Sequence, residues 1–497
     1  MRATVIGLGY VGLVTAAGVA EWGHDVVGID GDEHRVRALK AGRMPIHEPG
    51  LEELVAASVG ARRLRFSMPS ASAISAAQVV FVAVGTHDGN GGWQTTTIRR
   101  ALASIVPQMS DDATLAIRST LPPDFVRQLP LVVNAIREEA GRRPIPVMTN
   151  PEFTREGSAV LDFLEPDRVV FGVGHDPHGR GESMLRKLYR RVEAPILVMG
   201  AIDAALTKLG ANLFLATKIS FANELAQLCD AYGADIKDVV AGMSRDSRIG
   251  GGFLRAGIGF GGSCLPHQVT MTVRDSEQMG SPSPLFAAVE TVNHRQRDRF
   301  VERVARAVGD LAGSRIALLG LTFKPDTDDL REAPALEIAS ALIAGGANVV
   351  AYDPMPKARE GAAEAVPGLL VVDHPMKAIV GADAIGLVTE WQEFNHLPWG
   401  AIASAVKRPV IIDGRNALDP EVLMAAGFEY VGFGRAGEIQ ALAARAAEAA
   451  SEEAVSLDAE STLAGRERQT TVTAGRPSRA GDHQVAVESI QAKPSGA

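Results

Sequence analysis

The stretch that decides the fold is Ala3-Thr4-Val5-Ile6-Gly7-Leu8-Gly9-Tyr10-Val11-Gly12, "ATVIGLGYVG", followed by "DVVGID" at Asp25–Asp30. The short apolar run entering Gly7 reads as a buried parallel strand. Small and apolar residues from about Val11 to Trp22 read as a helix. G-x-G-x-x-G alone is a weak signal. Here it closes a strand and opens a helix, and Asp30 ends the next strand 18 residues after Gly12. In that context it reads as a dinucleotide-binding turn. Gly7 permits the tight turn, Gly9 lets a pyrophosphate approach the backbone, and Gly12 lets helix and strand pack closely. The first helical turn, with Val11, offers amide donors and partial positive charge to phosphate. Asp30 suits ribose hydroxyls and repels a 2′-phosphate, which favours NAD over NADP; Arg35 weakens that preference slightly. The competing reading is a structural glycine turn with no ligand.

Working outward, short apolar runs alternate with helical stretches at Gln78–Val84, Thr114–Arg118 and Pro146–Met148, the pattern of a mostly parallel sheet. The texture changes from about Asp203 to Arg306, where "DAALTKLGANLFLATKISFANELAQLCDAYG" carries apolar residues at helical spacing. Alternation resumes at Arg315–Gly320, Asn348–Asp353, Ala384–Thr389 and Pro409–Asp413. The expected architecture is α/β: two Rossmann-like doubly wound domains joined by a long central helix. The boundaries fall at 1–198, 199–305 and 306–440. Residues 441–497 contain no aromatic residue and read as a disordered tail.

Composition narrows the function. The 497 residues carry a net charge of −9 with no long basic block, which argues against nucleic-acid binding. The N-terminus briefly resembles a signal peptide, but its three spaced glycines and acidic continuation fit strand, turn and helix better. No apolar run reaches about 18 residues, so no membrane span is expected. The two cysteines, Cys229 and Cys264, make no disulfide framework, which suits a reducing cytoplasm. Cys264 sits in "GFGGSCLPHQ", Gly259–Gln268. On its own it is either a small buried residue or a nucleophile; the flanking glycines admit a ligand close to the backbone.

The wider chain resembles the nucleotide-sugar dehydrogenases, from Met1 to about Arg435. The motifs appear in that family's order: "GLGYVG", "RSTLPP", "NPEFTREGSAVLDFLEPDRVV", "TKLGANLFLATKISFANE", "DSRIGGGFLRAGIGFGGSC", "GLTFKPDTDDLREAP", "TEWQEF" and "DGRN". The resemblance implies an NAD-binding first domain, a central dimerisation domain and a C-terminal domain for the UDP-sugar. It implies a four-electron oxidation of UDP-glucose at C6, with Cys264 holding the intermediate first as a thiohemiacetal and then as a thioester. UDP-N-acetylmannosamine, UDP-N-acetylglucosamine and GDP-mannose are alternative substrates. A catalytically weakened UDP-sugar-binding protein is an alternative of another class. A homodimer or higher oligomer is expected.

The same resemblance assigns roles. Lys208 stabilises oxyanions, and Asn212 lies one helical turn on. Thr120 and Glu152 position water and serve acid–base steps. Phe153, Thr154, Arg155, Glu156, Phe253, Leu254, Arg255, Ala256, Gly257 and Gly261 lie in substrate-binding segments. Lys324 and Arg415 contact the sugar nucleotide, Arg248 reaches across the dimer, and Arg331 lies near NAD, as do Thr86 and His267. Taken singly, these cations read as surface charges.

The chain also departs from the family. After the cysteine the family reads Phe, Pro, Lys, Asp; here stand Leu265, Pro266, His267 and Gln268. His267 is a weaker cation near pH 7, and Gln268 cannot accept a proton. Thr86-His87 replaces Thr-Pro, "DGNGGWQTTT" replaces an acidic stretch, and Arg118 replaces a lysine. These departures gather on the cofactor side and point to altered NAD affinity, a slower second oxidation or a different sugar. No metal site is expected.

Overall fold

The structure is a computed structural model and describes residues 1–86, 92–437, 439–444 and 447. His87 and most of the expected tail at 441–497 lie outside the described residues. Met1–Ile439 form one compact unit.

Two sheets organise that unit. The first contains β1 (Arg2–Ile6), β2 (Asp25–Ile29), β3 (Leu64–Ser67), β4 (Val79–Val82), β5 (Thr114–Ile117), β6 (Val147–Thr149), β7 (Val169–His175) and β8 (Ile196–Gly200), in the order β3-β2-β1-β4-β5-β6-β7-β8. All pairs are parallel except β6 with β7. The second contains β9 (Arg315–Leu319), β10 (Asn348–Tyr352), β11 (Leu370–Val372), β12 (Ala384–Leu387), β13 (Val410–Asp413) and β14 (Glu429–Val431), in the order β11-β10-β9-β12-β13-β14. Both repeat the doubly wound order, with a crevice where the winding reverses, between β1 and β4 and between β9 and β12. The central strands are apolar on both faces because helices cover both: β4, β5, β12 and β13 are buried at every residue. Each sheet separates two apolar clusters.

Five strands, β3, β7, β8, β11 and β14, lie outside the sequence reading. Four of them are the sheet edges. β3 and β14 mix polar and apolar residues, as half-exposed edge strands do, whereas β8 and β11 are apolar yet partly exposed. The fifth, β7, is broken up by Gly172 and Gly174. A Cβ on Gly172 would lie 2.1 Å from the Thr149 hydroxyl and 2.7 Å from Ala204, so the glycine reports close packing of the long helix, not a turn.

That helix, Ala201–Tyr232, runs 32 residues and stops at Gly233, whose φ of 69° supplies the left-handed cap. Its buried face includes Ala204, Lys208, Asn212 and Ala216, at four-residue spacing. It packs against the helix Pro284–Val308 and the helix Leu265–Gln278, which begins at Cys264. No described helix is long and apolar enough to cross a membrane.

Candidate active site

Of the cofactor candidates, Gly7, Gly9, Val11, Gly12, Asp30 and Arg35 gather at the carboxyl ends of β1 and β2. Gly7 has φ 90°, and its N–H donates to the Ile29 carbonyl at 2.8 Å. A Cβ on Gly12 would stand 1.8 Å from the Gly7 carbonyl oxygen, so this helix can approach the turn only with glycine there. A Cβ on Gly9 would meet nothing within 4 Å. Gly9 caps the helix Tyr10–Glu21 without a side-chain partner, beside open space. Asp30 ends β2: its Oδ2 accepts from the Leu8 amide at 2.7 Å and from Arg35 at 2.9 Å, and its Oδ1 from the Asp32 amide at 2.9 Å. An open glycine, unclaimed helical amides and a carboxylate at the strand end fit a dinucleotide. Thr86 lies across the crevice and donates to the Thr120 carbonyl at 2.8 Å.

These two glycines separate folding from binding. Gly12→Ala is expected to cost about 3 kcal/mol through overpacking. Gly9→Ala, at a φ of −69° that any residue adopts, is expected to change stability by less than about 0.5 kcal/mol while weakening NAD binding at least about tenfold. Thermal unfolding with NAD titration of both variants checks this.

The substrate candidates converge on a second place. A cleft of about 410 Å³ is lined by Thr154, Arg155, Glu156, Lys208, Asn212, Phe253, Arg255, Ala256, Gly257, Gly261, Cys264, Lys324 and Arg415, among others. An adjoining cavity of about 490 Å³ shares Thr154, Arg155, Lys208, Asn212 and Phe253, and adds Glu152 and Phe153. Residues from the first sheet's connections, the long helix, the glycine-rich loop and the second sheet therefore face one space.

Lys208 and Glu152 form a buried ion pair at 2.9 Å. Burial works to raise the Glu152 pKa. Lys208, the Thr154 hydroxyl at 2.6 Å and Arg118 outweigh it and hold the carboxyl down at about 2. Glu152 is thus a fixed counter-ion in the resting protein. Cys264 opens onto the cleft, yet protein surrounds it closely enough that lost solvation pushes its thiol pKa up. Lys208 opposes this and Glu152 adds to it. The helix N-terminus at which the cysteine stands also favours the thiolate. Ser263 Oγ lies 3.6 Å from the sulfur and 3.5 Å from Glu156 Oε1. Burial, then Asp329, raises the Glu156 carboxyl to about 7, against the pull of Arg331 and Lys324. A carboxyl poised near neutrality therefore sits one hydroxyl away from the thiol. Because its pKa is raised, Glu156 supports the fold fully only below the ordinary carboxylate range, and that support fades as pH climbs through 7.

Two cations from the second sheet have structural duties. Lys324 donates to the Glu156 backbone carbonyl. Arg415 donates to the carbonyls of Gly259 (2.8 Å), Val388 (2.8 Å) and Phe323 (3.1 Å) and lies 3.3 Å from Glu390, so it fixes the glycine-rich loop against the second sheet.

Several candidates stand elsewhere. Arg248 is exposed, pairs with Asp246 and lines neither cavity. Leu254 is packed inside. Arg331 reaches Glu156 at 3.4 Å from the rim. The His267 ring meets the Trp93 edge at 5.8 Å, and Trp93 donates to Asp275 at 3.0 Å. Sequence reasoning missed Glu48. Buried, it accepts from the amides of Gly157 and Ala159, each at 2.6 Å, and from the Tyr10 hydroxyl, tying the fingerprint helix to the loop that carries Glu156. Nothing in "HEPG" distinguishes it from a solvated turn residue.

Residues 1–193, 203–295 and 317–420 match, in turn, the NAD binding domain, the central domain and the UDP binding domain of the UDP-glucose/GDP-mannose dehydrogenase family. The chain is 40% identical over 442 residues to a UDP-glucose 6-dehydrogenase of Rhizobium meliloti, covering 88% of this chain and all of that one. It is 41% identical over 453 residues to one of Pseudomonas aeruginosa, covering 89% and 100%. It is also similar to the structure of a UDP-glucose dehydrogenase from Pyrobaculum islandicum, at 36% identity and a TM-score of 0.79, over 87% of this chain and 97% of that one.

Proposed function

Because this chain belongs to the UDP-glucose/GDP-mannose dehydrogenase family, we propose that it oxidises the C6 alcohol of UDP-glucose to the carboxylate of UDP-glucuronate in two two-electron steps. The observation that carries the reading is the single cleft in which Cys264, Lys208 and Asn212 face the same space as Lys324 and Arg415. NAD, when bound, accepts the hydride of each oxidation. Removal of a hydride and a proton from the alcohol leaves an aldehyde. The Cys264 proton passes through Ser263 toward Glu156, and the thiolate adds to the aldehyde carbon. The ammonium of Lys208 and the amide of Asn212 stabilise the resulting alkoxide. Loss of the second hydride converts this thiohemiacetal to a thioester. Water then adds and the thiolate leaves, releasing the acid. Thr120 and Glu152 hold water and the Lys208 charge in place. Lys324 and Arg415 complement the diphosphate. A reducing cytoplasm keeps the thiol competent.

In this reading residues 1–198 hold NAD, 199–305 dimerise and 306–440 hold the UDP-sugar. The partner is a second copy. On the long helix Phe214, Phe221 and Leu228 recur every seven residues and are 63%, 49% and 52% exposed, a stripe that a monomer leaves wet. Arg248, 88% exposed in side chain and paired with Asp246, would have to exchange that partner to reach a neighbouring copy. Phe221→Glu is expected to shift the protein to monomers in sedimentation with at least about a hundredfold weaker association.

Anaerobic incubation with UDP-glucose and NAD tests the function. Two NADH per uronate support it. Turnover of an N-acetyl sugar alone reassigns the substrate, and one NADH with a covalent adduct shows that hydrolysis has failed.

A further inference from the structure

Asn212 and Gln268 meet across the seam between the two helices that build the cleft. Asn212 stands one turn past Lys208 on the helix Ala201–Tyr232 and lines both cavities. Gln268 lies in the first turn of the helix that begins at Cys264, and its backbone N–H donates to the Cys264 carbonyl at 3.0 Å. The residue is 1% exposed. The Asn212 amide Nδ2 donates to Gln268 Oε1 at 3.0 Å in a fully buried hydrogen bond. A primary amide carries two N–H donors and one carbonyl. This bond takes one donor, leaving Asn212 one N–H and its carbonyl for the cleft. The terminal torsion of an asparagine is broad and two-fold, so an unanchored Asn212 would present donor and acceptor by turns.

We infer that Gln268 is a positioning residue that acts through Asn212: its carbonyl fixes the asparagine so that the remaining amide proton faces the oxygen of the carbon held by Cys264. The inference rests on the dehydrogenase reading above. Gln268 thus joins the helix of the nucleophile to the helix of the oxyanion donors, across a seam whose spacing is set by the apolar packing of Leu209, Leu213, Ala216, Leu265 and Val269.

A double-mutant cycle on the full chain tests this, with NADH release from UDP-glucose and NAD as the readout. Gln268→Met removes the acceptor and keeps the volume; Gln268→Ala repeats the cycle should Met overpack. Gln268→Met is expected to lower kcat about tenfold, the worth of one oriented hydrogen bond. The KM for UDP-glucose should stay within about twofold, because the bond serves the transition state. In an Asn212→Ala background the same change should cost less than about twofold, because its effect runs through Asn212. An unchanged kcat, or a full tenfold loss on top of Asn212→Ala, overturns the inference. The unmutated protein is the control that separates the two readings. If it releases no NADH from any nucleotide sugar, the dehydrogenase reading falls and this inference with it. Normal turnover beside a silent Gln268→Met sinks this inference alone.

Discussion

Cys264→Ser is expected to abolish UDP-glucuronate formation, with kcat for the four-electron reaction lower by at least about a thousandfold. The substitution changes one atom in a cleft lined by more than twenty residues, so the affinity for UDP-glucose should stay near that of the unmutated protein. What it removes is a nucleophile. A serine hydroxyl beside Ser263 and Glu156 finds no base strong enough to ionise it at neutral pH, whereas a thiol needs far less help. The first oxidation can still occur, but the aldehyde has no covalent hold and no route to a thioester. Quantifying uronate by chromatography alongside NADH, with substrate binding by calorimetry, checks this. Full uronate production by the serine variant would rule out the covalent route.

Lys208→Met should lower kcat by about 10²–10³, the usual worth of one oxyanion-stabilising donor, and should also unsettle the fold. Glu152 is 7% exposed, and Lys208 supplies its charge partner at 2.9 Å. Removing one member of a buried pair strands the other, at a cost of about 3–5 kcal/mol. The Glu152 carboxyl is held down at about 2 chiefly against its own burial. Without the lysine its pKa climbs and the carboxyl takes up a proton as pH falls. The depressed carboxyl of the unmutated protein contributes stability above the ordinary carboxylate pKa and loses it toward pH 2. The variant should lack that contribution at neutral pH. Adding Glu152→Gln to Lys208→Met should restore much of the stability and none of the activity, which thermal unfolding and kinetics read separately. Recovery of activity in the double variant would count against the role given to Lys208.

How far the sequence carried this description depends on what each residue answers to. Gly7, Gly9, Gly12 and Asp30 were legible because their constraints are local: a turn, a helix start and a strand end within about thirty residues. The central strands were legible because burial on both faces leaves an unbroken apolar run, as in Val79–Val82. Of the edge strands, β3 and β14 mix polar with apolar residues and leave no run to read; β8 (Ile196–Gly200) and β11 (Leu370–Val372) are apolar and were legible, but lie outside the expected strands. At the site, residues of recognisable motifs came together in one cleft, although Lys208, Cys264 and Lys324 are far apart in the chain. The Asn212–Gln268 bond spans 56 residues, and the Glu48–Gly157 bond spans 109. No periodicity encodes such pairs; each is a meeting that only the folded chain arranges. Gln268 stood out in the sequence as a departure, but what its amide holds became visible only with both helices in place.

The twin sheets make nearly the same turn twice, yet to different ends. Gly320, like Gly7, has φ 90°, and the Leu321 amide donates to Asp353 at 2.7 Å as the Leu8 amide does to Asp30. In the second turn, however, Thr322 occupies the place of Gly9. The Asp353 oxygens are claimed by the Thr322 hydroxyl, the Trp391 indole and the Met355 amide. In the proposed reading the glycine turn of the first sheet is the berth for NAD, while the reaction consumes two. A spent carrier must leave and a fresh one arrive while a half-finished sugar waits, and a freely diffusing aldehyde would be lost in that interval. In the proposed reaction the Cys264 sulfur would act as the mooring during that changeover, a task that falls to it because the two similar turns serve different nucleotides.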